Sequence, residues 1–113
     1  MKQITAIIQP HMLRRVEHAL HELPHFPGFT LLRAKGHGRG RAADHAWHAT
    51  EGDIDEHDKV VLLIFCPDLL APQLVETIHK NAHTGLPGDG LVVVQEVSQI
   101  LRIGSGEYGE DAV

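Results

Sequence analysis

A single cysteine, Cys66, is all that this chain carries, so no disulfide can form within it. Its place inside the apolar run Val60-Val61-Leu62-Leu63-Ile64-Phe65-Cys66 makes it a packed thiol rather than a reactive one. An excess of positive charge is also missing. With 15 acidic against 10 basic residues the formal charge is −5, which removes any global attraction to nucleic acid or to an anionic membrane surface. Apolar runs are short: none approaches the ~20 residues that span a bilayer, and the N-terminus has no signal-peptide core. A cytoplasmic chain with no direct membrane insertion is the expectation. No Ser or Cys nucleophile has an evident partner and no paired-carboxylate cleft can be located, so the chain reads as a regulator rather than an enzyme. Internal repeats and low-complexity segments are absent.

What remains is 113 residues with 42% hydrophobic content, one small domain over residues 1–113, near the size at which a single core is adequate but not generous. Oligomerisation would help it. Residues 4–8 read as a short buried strand ended by Pro10, after which Leu13, Val16, Leu20 and Leu23 recur at helical spacing. His11, Arg14, His18 and His21 fall on the opposite face. His18 and His21 have the spacing to chelate a metal, although a stripe opposite the apolar face is more often a solvated surface. Pro24 and Pro27-Gly28 turn the chain into a second strand, Thr30 to Ala34. Residues 37–58 have no apolar periodicity and read as a long exposed loop, functional or disordered. Val60 to Cys66 is a third strand, about Leu70 to Ala82 a second helix with Pro72 in its first turn, Leu91 to Val94 a fourth strand, and Val97 to Ile103 a final extended segment. The order βαββαβ is that of an α+β, ferredoxin-like domain with both helices on one face of an antiparallel sheet.

Two glycine-rich stretches punctuate this pattern. Thr84-Gly85-Leu86-Pro87-Gly88-Asp89-Gly90 lies between two apolar segments; its glycines allow main-chain N–H groups to face phosphate oxygens, although such a loop also serves as a plain connection. Lys35-Gly36-His37-Gly38-Arg39-Gly40-Arg41 joins a permissive backbone to fixed cations that suit phosphate as well. Together with Ile100-Leu101-Arg102-Ile103-Gly104-Ser105-Gly106-Glu107 near the end, and with the opening Ile4-Thr5-Ala6-Ile7-Ile8-Gln9-Pro10, these stretches form an ordered set. In that set the chain resembles the PII signal-transduction proteins (nitrogen regulatory protein P-II), nearly end to end apart from residues 41–58.

The resemblance implies a homotrimer whose sheets face a central axis, in agreement with strand runs such as Val60 to Cys66 that look buried on both faces. It further implies clefts between subunits that bind an adenine nucleotide, ATP, ADP or AMP, and a long loop, here about 37–58, that grips a membrane transporter or an enzyme. Carried over by matching position, Gly36, Gly38 and Arg39 are the loop base, Gly88, Asp89 and Gly90 the phosphate loop, and Arg102 the first of two C-terminal arginines. Ile7 and Thr30 match positions near the adenine, and Lys59 the lysine that reaches effector or phosphate.

The departures fall on charge. Leu91 stands where the family has a phosphate-binding Lys, Gly104 where it has a second Arg, and Gly40 where it has the Gln that helps hold Mg²⁺ and 2-oxoglutarate. A hydrogen bond to a charged group contributes ~1.5–3 kcal/mol, so triphosphate binding is expected to be weakened by orders of magnitude unless Arg41 or Lys35 compensates. Ordinary 2-oxoglutarate sensing is not expected. The long loop also has no Tyr to accept a uridylyl group; Tyr108 lies in the tail.

That loop instead holds His37, His45, His48, Glu51, Asp53, Asp55, Glu56, His57 and Asp58. His45-x-x-His48 can chelate on one turn, and His57 with a carboxylate nearby suits a divalent transition metal. An alternative reading is therefore a metal-binding or metal-tolerance protein on the same trimeric scaffold, comparable to the divalent-cation-tolerance proteins; a polar loop that happens to be His-rich is the plainer one. Some PII-like paralogues accompany heavy-metal efflux transporters, a role that such a loop would suit.

Overall fold

The computed structural model describes residues 1–37 and 57–113. Four strands, β1 (Lys2–Ile8), β2 (Thr30–Gly36), β3 (His57–Cys66) and β4 (Gly90–Glu96), form one sheet in the order β2-β3-β1-β4. Every neighbouring pair is antiparallel. Two helices, α1 (Leu13–His21) and α2 (Ala71–Ala82), pack side by side, each entered through a short 3₁₀ turn at Pro10–Met12 and Asp68–Leu70. This is the α+β, ferredoxin-like arrangement that the order of elements predicts. Among the described residues no helix is long and apolar enough to cross a membrane.

The period-2 alternation of the central strands sets which face is covered. Ile4, Ala6 and Ile8 of β1 lie opposite Ile64, Leu62 and Val60 of β3, and all six are buried. Val16 and Leu20 of α1, with Leu74 and Ile78 of α2, close over them. Each fully buried aliphatic side chain contributes about 1.5–3 kcal/mol, so these two faces hold most of the hydrophobic stabilisation. Cys66 joins this core, and burial raises its thiol pKa, which keeps it a packing residue.

Among the described residues no helix covers the other face of the sheet. Ile7, Val61 and Leu63 are only half-buried there, and Leu32, Phe65, Leu91 and Val93 are exposed. The third strand is thus apolar on both faces but covered on one.

Several element boundaries depart from the sequence pattern: β1 begins at Lys2 and β4 spans Gly90–Glu96, each longer than expected. β2 runs on to Gly36 and β3 begins at His57, because the two continue as a paired stem, with Lys35 opposite Asp58 and Gly36 opposite His57. Lys35 Nζ meets Asp58 Oδ1 at 3.2 Å. The expected loop 37–58 therefore gives up its last two residues to a strand. The expected extended segment Val97 to Ile103 is not a strand: beyond Val97, only Leu101 pairs, in an isolated bridge with Tyr108 across a turn closed by Gly106 N–H to Arg102 O at 2.8 Å. Gly104, Ser105 and Gly106 favour a turn over continued pairing.

The amino terminus is tied down at the start of the central strand β1. Its ammonium group lies 2.6 Å from Asp68 Oδ1, Lys2 Nζ is 3.3 Å from the same oxygen, and Lys2 also meets Glu96. The hydrogen bond from the terminal ammonium, then that from Lys2, holds the Asp68 carboxyl below the usual carboxylate range. A depressed folded-state pKa gives stability that is present above the unfolded value of ~3.9 and is lost as pH falls through the folded one. Acid unfolding of Asp68→Asn should accordingly show a shallower loss of stability below about pH 4 than the parent; superimposable acid limbs would show that the pair contributes nothing.

Candidate functional site

The loop 84–90 is shaped by its own acid. Asp89 Oδ2 accepts the N–H of Thr84 at 2.8 Å and that of Gly85 at 3.3 Å, and Oδ1 accepts the Thr84 hydroxyl. Thr84 Oγ1 in turn accepts the N–H of Leu86 at 3.1 Å. These bonds, led by that of the Thr84 hydroxyl, lower the Asp89 pKa, so the carboxylate stays ionised. Asp89 thus binds back into the loop and organises it. Gln9, from the end of β1, adds Nε2 to Asp89 Oδ1 at 3.4 Å. Sequence reading did not single out Gln9 or Thr84; the Thr–Asp spacing within a Gly-rich loop is the signal that could have found Thr84.

Gly90 is where the loop meets the sheet. Its φ is +100° and an added Cβ would lie 1.8 Å from the carbonyl oxygen of Ile7, so no side chain fits. Gly88, at φ +93°, sits beside Gln9 and Lys59. Lys59 reaches across from β3, its Nζ donating to Gly88 O at 2.6 Å, and its stem lies against Gly36, where a Cβ would approach Lys59 Cγ to 3.2 Å. The fold therefore brings together Ile7, Gly36, Lys59, Gly88, Asp89 and Gly90 at one end of the sheet. A cation and a loop of permissive backbone converge there, which is the chemistry of an anion site.

Thr30 and Arg102 are elsewhere. Thr30 opens β2 opposite Leu63, whereas Gly36 ends the same strand, so the two ends lie ~20 Å apart at about 3.3 Å per residue. At the Thr30 end is a second hollow of about 570 Å³, lined by Gly28, Thr30, Leu63, Phe65, Arg102 and the C-terminal Ala112 and Val113, among others. Arg102 Nε donates to Ala112 O at 2.9 Å, and Arg102 N–H to Glu107 O at 2.9 Å, which fixes both ends of the residue. That bond uses one of the five donors of the guanidinium group. Within one chain the expected residues thus fall into two half-sites that do not touch. Leu63, Phe65 and the chain end were not singled out in the sequence, because nothing local marks residues gathered by a turn of the C-terminal segment.

Leu91 is exposed beside Ile7, so the first charge departure puts an apolar side chain at the mouth of the loop. Gly104 sits in the turn with open space around it. Lys35, one candidate to compensate, is engaged with Asp58. Gly38, Arg39, Gly40, Arg41, His45 and His48 lie outside the described residues. His57, expected as a loop ligand, is the first residue of β3. On α1 the chelate pattern is not assembled: His18 Nε2 pairs with Glu22 at 2.8 Å, while His21 packs edge-on against Phe26 with ring centroids 5.4 Å apart.

A family model described as Nitrogen regulatory protein P-II matches residues 1–107. Over all 113 residues, and over the whole of each relative, the chain is 39% identical to the nitrogen regulatory protein P-II of Azospirillum brasilense and 37% identical to that of Rhodospirillum rubrum. It is 36% identical over the same span to nitrogen regulatory protein P-II 1 of Escherichia coli K12. Matches of this extent, on the fold and loops described above, place the chain in the nitrogen regulatory protein P-II family.

Proposed function

We propose that this regulatory, non-enzymatic member of the P-II family acts as a homotrimer that binds an adenine nucleotide at the seams between subunits. Through residues 37–58 it would then control a membrane transporter or an enzyme. The observation that carries this reading is the division of the site. Ile7, Gly36, Lys59 and Gly88 to Gly90 occupy one end of the sheet, and Thr30 and Arg102 the other. Thr30 and Gly36 are the two ends of β2, so no rearrangement within one chain short of unfolding the sheet joins them, whereas a head-to-tail ring of copies sets one end of each subunit against the other end of its neighbour. The uncovered apolar face of the sheet supplies the surface that such a ring buries.

In this site Lys59 and Arg102 provide the phosphate cations, Arg39 a third from the loop base, and the Gly88 to Gly90 backbone the N–H groups. Ile7 gives the base an apolar floor. With Leu91 and Gly104 in place of two further cations, the γ-phosphate gains little, so ADP and AMP are expected to compete well with ATP.

Light scattering and a calorimetric series with ATP, ADP and AMP test this together. A stable monomer at micromolar concentration, or ATP binding far more tightly than ADP with no loss on Arg39→Ala, would sink it. A gain-of-function arm sharpens the test. Gly104 has room for a side chain and Leu91 is exposed, so Leu91→Lys/Gly104→Arg is expected to raise ATP affinity at least tenfold over the parent, as ~1.5 kcal/mol or more from a single charged hydrogen bond would do.

A further inference from the structure

A groove of about 710 Å³ runs between α2 and the edge strand β4, walled by apolar residues such as Val75, Ile78, Val92 and Val94. One end is closed by His79, His83 and Asp89, the other by Lys2 and Asp68, with Glu76 along the helix between. The proposed nucleotide site uses the loop beside this groove but neither histidine.

His79 and His83 are four residues apart at the C-terminal end of α2, with His83 as its last cap and His83 N–H bonded to His79 O at 3.1 Å. That spacing puts both imidazoles on one side of the helix, and their ring centroids are 5.7 Å apart at 54°. A single ion can bridge two rings so placed, as in the i, i+4 histidine pairs that hold zinc on a helix. His83 Nδ1 lies 3.3 Å from Asp89 Oδ2. A carboxylate on one ring nitrogen fixes the tautomer and the ring orientation, which is the usual outer support of a metal-binding histidine.

We infer that His79 and His83, with Asp89 orienting His83, form an open two-imidazole site for a borderline transition-metal dication of the Zn²⁺, Cu²⁺ or Ni²⁺ type. Among the described residues no three His, Cys, Asp or Glu side chains form a metal-holding group, so the remaining coordination positions go to water or to an incoming ligand. Ca²⁺ and Mg²⁺, which take oxygen donors, are excluded by the imidazole pair. Lys80, next to His79 on the helix, is drawn back to Glu76 at 3.4 Å, Lys59 is held at the Gly88 carbonyl, and the chain's −5 formal charge favours a cation. Since Asp89 also holds Thr84 and Gly85, an ion on His83 stiffens the loop 84–90 from behind. The site stands on these contacts alone and does not depend on nucleotide binding.

The test is a Zn²⁺ titration of the full-length protein followed by NMR of the histidine ring signals, which resolves this pair from the other histidines. The His79 and His83 rings should shift together and saturate at one ion per chain. His79→Gln, a change on an exposed helix surface, should weaken binding at His83 at least tenfold, and Asp89→Asn, which keeps both ligands, should weaken it by 10- to 100-fold. Shifts confined to other histidines, or unchanged His83 binding in His79→Gln, would overturn the site and leave the His83–Asp89 contact as a loop cap. Either outcome leaves the nucleotide titration of the same sample free to succeed or fail separately.

Discussion

Gly90→Ala should unfold the protein in urea with at least ~3 kcal/mol less stability than the parent, and should abolish the proposed nucleotide binding even where the sheet survives. The added Cβ would lie 1.8 Å from the Ile7 carbonyl oxygen and 2.8 Å from its carbon. Both atoms are backbone of β1, which is paired on both sides, so no rotamer change relieves the overlap. The φ of +100° adds strain that an L side chain rarely tolerates. The only relief is for the first residues of β4 to lift from β1, which carries Gly88 and Asp89 away from Gln9 and Lys59. Two other glycines calibrate the result. Gly85→Ala, with φ +84° but open space, should cost only about 1 kcal/mol, and Gly104→Ala, with open space and no positive φ, should fall within about 0.5 kcal/mol of the parent. A Gly90→Ala variant with the parent's urea midpoint would mean that the loop is not anchored as described.

If the proposed trimer forms through this face, Val93→Asp should convert it to monomer at micromolar concentration and, with it, remove the proposed nucleotide binding by the remaining wild-type residues. Val93 lies on the uncovered face, opposite Thr5, which in turn lies opposite Leu63. In the isolated chain it is 40% exposed, so an aspartate there remains hydrated and costs the monomer little. Buried against a neighbour, the same carboxylate would lose its water with no cation beside it, a cost of several kcal/mol for each of the copies in the ring. Light scattering should therefore report a folded monomer, with circular dichroism close to the parent's. A variant that stays trimeric would show that this face is not the one the ring buries, and that the two half-sites meet in some other way.

The strengths and gaps of the sequence as a guide can be traced to particular residues. The Val16/Leu20 and Leu74/Ile78 pairs at helical spacing are written in local periodicity, because one covered face imposes a period on each helix separately, whereas the run Val60 to Cys66 marks a strand without saying which of its faces is covered. The loop 84–90 was equally legible as a shaped loop, since Gly at positive φ leaves a compositional mark. The inward turn of Asp89 was not, because its partners Thr84 and Gln9 are chosen by distance in space. The C-terminal segment misled for the same reason: Val97 to Ile103 has the composition of a strand, and only the bond from Arg102 to the Ala112 carbonyl and the bridge from Leu101 to Tyr108 show it turning back.

By itself, then, the sequence determined the order of elements, the apolar faces of the helices and the family to which those motifs belong, since each is encoded in residues close along the chain; which face of the sheet the helices cover was left to the tertiary structure, because β3 is apolar on both. The tertiary structure alone decided that Ile7, Gly36, Lys59 and Gly88 to Gly90 meet at one end of the sheet while Thr30 and Arg102 sit at the other. It also decided that His83 leans on Asp89 beside an open groove. Those facts depend on strand register and on the length of β2, which places Thr30 and Gly36 ~20 Å apart on a rigid sheet, and no short-range pattern records a distance of that kind.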